Sequence, residues 1–220
     1  MLLKDRYKGL IEYFTTNYPI AETELQYNSP FELLIAVILS AQCTDKRINL
    51  ITPALFDRFP TPSSLAASNF DEVFSYIRSV SYPNNKAKHL LAMARTLVDE
   101  FGSEVPSTME NLQKLQGVGR KTANVILSVV YNQPSMAVDT HVFRVAHRLG
   151  LVPSMAKTPF LVEQKLVANI SDELIPRAHH WLILHGRYVC VARNPKCNAC
   201  ELKTFCKYFE KNGNMNVPKL

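Results

Sequence analysis

Four cysteines, Cys190, Cys197, Cys200 and Cys206, form a C-x6-C-x2-C-x5-C run near the end of this 220-residue chain. Thiols this close in a loop-rich stretch can converge on one centre. The N-terminus, MLLKDRYKG, carries no long apolar stretch and no small-residue cleavage site, so the expectation is an intracellular protein. Disulfides are disfavoured there, and a bound metal is the better use of the four thiols. Zinc and a 4Fe-4S cluster both accept four thiolates, and spacing alone does not choose between them. Arg193 and Lys196 lie between the first two cysteines, so a metal would fix a basic loop against a partner. Cys43 stands apart at the end of an apolar segment and reads as a packed thiol.

A second chemical candidate lies in Leu115-Gln116-Gly117-Val118-Gly119-Arg120-Lys121-Thr122-Ala123. One helix stops, two glycines bracket an apolar residue, and another helix starts. The two glycines allow a tight turn with positive φ and no Cβ in the way, and the N–H groups of the turn and of the new helix then point outward together. Such a nest at the positive end of a helix dipole suits a phosphate and reads backbone rather than bases. An ordinary helix–helix turn would use the same residues. Lys121 falls in the first turn, where the dipole and neighbouring Arg120 both repel its charge. That favours the neutral amine, which can attack a sugar carbon and form a Schiff base. The other use of such a lysine is as a point charge on phosphate.

Asp139, in Ala137-Val138-Asp139-Thr140-His141-Val142, can cap the helix that follows it. It could also stabilise an oxocarbenium-like state as a glycosidic bond breaks, or accept the proton that an attacking amine loses. His141 reads first as a structural hydrogen-bonder and second as a helper at the site.

The elements that must position these residues read as nearly all helix. Apolar content is 47%, enough for a full core, and the chain holds only seven glycines. No apolar run reaches the roughly 18 residues of a membrane span. Helices are expected from Pro30 through Gln42, from Asp45 to about Phe59, and from Asn69 or Asp71 to about Arg78. The next runs from Asn84 or Asn85 to Phe101, with Gly102 as C-cap, followed by a short one after a Ser107–Glu110 capping box. Gly119–Tyr131, Thr140–Leu149, Pro159–Ile170 and Ile175–Gly186 complete the set. Net charge is +6. Residues 186–220 carry seven basic side chains (Arg187, Arg193, Lys196, Lys203, Lys207, Lys211, Lys219) against Glu201 and Glu210, so five of the six net charges sit there. A basic end on a near-neutral body suggests a polyanion partner, although a solvated tail has the same composition.

Taken together, LQGVGRKTAN, AVDTHVFRVAHRLG, HHWLILHGRYVC and the cysteine loop resemble the endonuclease III family, from the first helix to about Tyr208. The resemblance implies an all-α fold of two helical domains with a cleft between them that holds DNA and the active site. One domain would be a helical barrel over about 22–134 containing the helix-hairpin-helix. The other would combine 1–21 with 135–220 and hold the cluster. It implies Lys121 as Schiff-base nucleophile, Asp139 as the essential carboxylate, and the four cysteines as ligands of a structural 4Fe-4S cluster. It also implies that Gln42, in Ser40-Ala41-Gln42-Cys43-Thr44-Asp45, fills the gap left by an extruded nucleotide. One stretch departs from the family. Where a glycine and an apolar wedge are usual, this chain has Ser81 and Tyr82, followed by Pro83. An aromatic at 82 could stack into DNA.

The reading is therefore a DNA glycosylase and apurinic/apyrimidinic lyase of base excision repair, acting as a monomer without a membrane or nucleotide cofactor. Its partner is double-stranded DNA containing a damaged pyrimidine or an abasic site. Gln42, Tyr82, Gly117, Val118, Gly119, Arg120, His141, Arg193 and Lys196 are the expected DNA contacts. One rival is an adenine-mismatch glycosylase, which places a catalytic glutamate where this chain has Val37 and lacks a lysine at the hairpin. Another is a non-enzymatic DNA-binding module with a structural metal, and a third is an electron carrier. The pairing of Lys121 with Asp139 separates the enzyme from the binding module.

Overall fold

A computed structural model describes residues Met1–Asn212, so Lys219 of the basic end lies outside the described residues. The described chain is helical throughout, and no strand occurs in it. The helices are α1 (Leu3–Asn17), α2 (Pro30–Ser40), α3 (Asp45–Arg58), α4 (Pro62–Ala66), α5 (Phe70–Ile77), α6 (Pro83–Phe101), α7 (Met109–Leu112), α8 (Arg120–Val129), α9 (Thr140–Leu149), α10 (Pro159–Val167), α11 (Ile175–Tyr188) and α12 (Lys207–Asn212). Three 3-10 turns, Asp172–Leu174, Cys197–Ala199 and Glu201–Phe205, fill the connections. The chain divides into two compact units, Thr23–Asn132 and the combination of Met1–Glu22 with the chain from Gln133 onward.

The contiguous unit is built around α2. Leu33, Leu34, Ile35, Ala36 and Leu39 have no exposed surface, so this helix is apolar nearly all round and must lie inside. Helices α3, α6 and α8 pack on it, and α4 and α5 pack on α6. Side-chain caps start most of these helices: Ser29 for α2, Thr44 for α3, Thr61 for α4, Asn69 for α5 and Thr108 for α7. The cap of α7 is one residue later than the Ser107–Glu110 spacing suggests, because Thr108 accepts from Asn111 N–H at 3.3 Å. Two junctions also differ from expectation. Helix α2 ends at Ser40, two residues short of Gln42, because Gln42 takes a left-handed φ of 57°. Helix α6 begins at Pro83, with Tyr82 before it at φ 56°, since proline at the first helical position needs no N–H partner.

In the discontinuous unit the first helix is tied to the last ones by a buried cation. Arg6 is 6% exposed and donates to both carboxylate oxygens of Glu210, at 2.9 and 2.8 Å. It also donates to Leu149 O at 3.2 Å and to Phe205 O. A guanidinium out of water is tolerable only when its donors are used in this way. Gly9 allows the approach, since a Cβ there would stand 2.3 Å from the Phe205 ring. Deeper in, Trp181 stacks on Phe14 with ring centroids 5.5 Å apart, and its indole N–H reaches Tyr18 O at 2.8 Å. The Trp181 ring and its one bond can be separated experimentally. Trp181→Phe should destabilise by about 1–2 kcal/mol, mainly through the lost hydrogen bond. Trp181→Ala should cost about 3–5 kcal/mol through the cavity. Urea unfolding followed by circular dichroism reads both, and equal costs would mean that the ring does not anchor α1.

Candidate active site

The 115–123 segment forms the expected hairpin. Val118 is the pivot: its side chain is 6% exposed in the core, and its N–H is bonded to Leu115 O at 3.1 Å. Its part in any interface is thus to seat the loop rather than to donate outward. Gly117 takes φ +81°, and a Cβ on it would lie 3.1 Å from Cβ of His89. Gly119 is different. Its φ of −88° suits any residue, and no atom lies within 4 Å of where its Cβ would be. That open space is what a phosphate or sugar needs to approach the backbone.

Helix α8 starts at Gly119 with no side-chain cap and no acidic residue in its first turn. Its positive end thus carries no side-chain cap, unlike that of α9, which Asp139 caps. Lys121 is the second residue of α8 and is exposed, while Ala123 and Asn124 turn into the core and fix the helix face. Arg120 is exposed beside it.

Asp139 follows buried Met136, Ala137 and Val138 and is half-buried. Its Oδ1 accepts from Val142 N–H at 2.7 Å, so the capping role is real. A cap of this kind also fixes the carboxylate's direction. His141 is occupied structurally, with Nδ1 3.2 Å from Nη2 of Arg144. Arg144 in turn donates to Gly186 O at 2.8 Å and Cys190 O at 3.1 Å. Gly186 lets α11 lie against α9 here, since a Cβ would meet that of His141 at 2.8 Å.

Cys190, Cys197, Cys200 and Cys206 line one small cavity, with Leu149, Val189 and Phe209 supplying apolar walls. Among the described residues no three His, Cys, Asp or Glu side chains are grouped to hold a single metal ion. Burial pushes the Cys200 thiol up to about 11, and the other three thiols add to the rise. Cys206 and Cys197 are raised for the same two reasons, burial first. Four thiolates held this close repel one another unless a cationic inorganic group sits among them, so the donor set fits a metal centre. Arg148 supports it: Nη1 lies 3.6 Å from Cys190 Sγ and also donates to Val191 O at 2.7 Å, while Nη2 donates to Ala192 O at 2.9 Å. The loop so pinned presents Arg193 and Lys196, both exposed.

Gln42 and Tyr82, the remaining expected contacts, are both exposed and both left-handed. Sequence reasoning missed Arg148 and Lys86. Arg148 lies in the last turn of α9, where a cation is favoured anyway and draws no notice. Lys86 is 5% exposed, and the signal was available: it opens an otherwise apolar helix face with Ala87, Leu90 and Leu91.

The two hairpin glycines should respond differently to substitution. Gly117→Ala forces alanine into a left-handed conformation and should cost about 1–2 kcal/mol. Gly119→Ala should cost less than about 1 kcal/mol, the difference between glycine and alanine at a helix N-cap. Thermal melts of the two variants give the comparison, and a larger loss at Gly119 would contradict it.

A family model described as "HhH-GPD superfamily base excision DNA repair protein" matches residues 35–171. The chain is 46% identical over 200 residues to endonuclease III of Rickettsia felis, covering 91% of this chain and 93% of the relative. It is 47% identical over 193 residues to endonuclease III of Haemophilus influenzae, covering 88% and 90%. A solved structure titled as a trapped endonuclease III–DNA covalent intermediate superposes with a TM-score of 0.90 at 40% identity, over 97% of this chain and all of that one. A match of this length, across both the hairpin and the cysteine loop, leaves one conclusion: the chain belongs to the endonuclease III family of the helix-hairpin-helix base excision repair superfamily.

Proposed function

We propose that this protein excises oxidised pyrimidines from duplex DNA and then cleaves the strand by β-elimination, with Lys121 as the nucleophile. The observation that carries the reading is an exposed lysine at the second position of an uncapped helix, directly after the hairpin that suits a phosphate. A relative of the same fold has been trapped in a covalent intermediate with DNA, which an amine nucleophile explains. The non-enzymatic reading has no use for such a lysine. The adenine-mismatch reading would need a carboxylate where Val37 stands in α2.

Binding begins with phosphates, held by the α8 N-terminus, Arg120 and the basic cysteine loop. The damaged pyrimidine is turned out of the stack, which costs least for a poorly stacked base. Lys121 Nζ bonds to C1′ as the C1′–N bond breaks, and the base leaves as an anion that takes a proton from water. Asp139 stabilises the cationic sugar and accepts the proton that the amine gives up. Ring opening yields a Schiff base that acidifies the C2′ proton. Loss of that proton expels the 3′ phosphate oxygen and breaks the strand, and hydrolysis returns the amine.

Cys190, Cys197, Cys200 and Cys206 are assigned to a 4Fe-4S cluster, the group that membership of the endonuclease III family suggests for four thiols lining one small cavity. Such a cluster supplies rigidity here, stapling the loop that presents Arg193 and Lys196. On this reading the protein acts as a monomer in the cytoplasm, where it would meet DNA. None of the described helices is long and apolar enough to cross a membrane.

Lys121→Gln should abolish excision and nicking of thymine glycol duplexes while duplex affinity survives, and Asp139→Asn should slow turnover about 10²- to 10⁴-fold. Gel assays with a binding titration measure both. Full nicking by Lys121→Gln would remove the nucleophile assignment. The purified protein should also be brown, with about four irons per chain; a colourless zinc-loaded protein would contradict the cluster.

A further inference from the structure

Four non-glycine residues of the contiguous unit hold a left-handed φ, Gln42, Tyr82, Ser103 and Asn132, and the first two sit at junctions that are bonded to each other. Gln42, between α2 and α3, and Tyr82, just before α6, both hold a left-handed φ, 57° and 56°, although neither is glycine. Both side chains are exposed, Tyr82 by 62%. Such conformations cost roughly 1–3 kcal/mol each and persist only when the surroundings over-determine them.

The surroundings are a set of cross-links between the two junctions. Ser81 N–H donates to Cys43 Sγ at 3.3 Å, and Ser81 Oγ donates to Gln42 O at 2.8 Å. Lys86 works from both ends. Its main-chain N–H is bonded to Tyr82 O at 3.1 Å. Its Nζ donates to Leu39 O at 2.8 Å and Ala41 O at 2.6 Å, at the C-terminal end of α2. One lysine therefore clips the residue before α6 to the carbonyls that precede Gln42. Val80 is buried behind the clip.

A buried ammonium is a poor way to stabilise a core, and an apolar side chain of the same length would serve at least as well. What the charge adds is direction, because it fixes two carbonyls that an apolar residue would leave unbonded. We propose that Lys86, Ser81 and Cys43 are positioning residues that lock Gln42 and Tyr82 into a single two-pronged probe, used to extrude the damaged base and hold the gap it leaves. Amide and aromatic ring are thereby presented at a fixed spacing, so DNA meets a preformed tool and the two junctions need not order on binding. The inference rests on the reading above that Gln42 and Tyr82 enter the duplex.

The test compares two duplexes under single-turnover conditions. One carries paired thymine glycol, which must be extruded. The other carries an abasic site, which has no base to unstack. The readout is the ratio of the two cleavage rates, which a general loss of folding would leave unmoved. For the double variant Cys43→Ala/Ser81→Ala that ratio should fall about tenfold or more. Cys43→Ser, which keeps an acceptor for Ser81 N–H, should recover most of what Cys43→Ala loses. Lys86→Met should behave like the double variant; because it also leaves the Leu39 and Ala41 carbonyls without the bonds from Nζ, the ratio is read alongside its thermal melt. An unchanged ratio in the double variant, or equal losses on both duplexes, overturns the brace. Gln42→Ala and Tyr82→Ala separate the two levels. If both excise thymine glycol at the wild-type rate, the probe reading itself fails. If they are slow and the brace variants are not, only the positioning role fails.

Discussion

The positive end of α8 is the constraint on which the rest depends. A helix start without a cap leaves N–H groups that must find a partner, and most helices of this chain find one in a Ser, Thr, Asn or Asp side chain. Helix α8 has glycine there instead, and nothing crowds that glycine. The turn holds its shape because Val118 is buried and Gly117 alone can make the left-handed bend against His89. On the proposed reading, local geometry that would be a defect elsewhere seats the DNA backbone and carries Lys121 into place with it.

The remaining loops with chemical roles are held by a common device, a cation bonded to main-chain carbonyls. Arg6 holds Leu149 O and Phe205 O, drawing the first helix to the end of α9 and to the turn just before Cys206. Arg148 holds Val191 O and Ala192 O within the basic loop, and Arg144 holds Gly186 O and Cys190 O. Lys86 holds the end of α2. Carbonyls at helix ends and in irregular loops have no ladder partner, so a side-chain donor fixes their direction where secondary structure cannot. The cost of removing a charge from water is met each time by several bonds to one side chain. The cysteine cavity follows the same logic, since burial and neighbouring thiols disfavour ionisation of Cys197, Cys200 and Cys206, a cost that a bound inorganic cation would offset.

Much of this was legible in the residues alone. Ser29-Pro30 marked the start of α2, and Gly102 marked the end of α6, because caps and proline rules act within a few residues. The hairpin was legible for the same reason. The exact ends of α2 and α6 were not, since Gln42 and Tyr82 adopt conformations that local preference opposes, and the bonds from Ser81 and Lys86 to Gln42 O and Ala41 O come from afar in sequence. The buried state of Arg6 was hidden likewise, because a long charged side chain looks the same in sequence whether its charged end meets water or a carbonyl. Val118 was legible as a loop residue, but not as a residue whose N–H is already used.

The central claim is that one amine, and no other, bonds to the sugar. Borohydride reduction of the complex with abasic DNA, followed by proteolysis and mass spectrometry, locates the bond directly. The account predicts that the deoxyribose-derived mass sits on the peptide containing Lys121, with the fragment series placing it on that side chain. Finding it instead on Lys114, on Lys86 or on the N-terminal amine would contradict the account, however well the protein binds DNA.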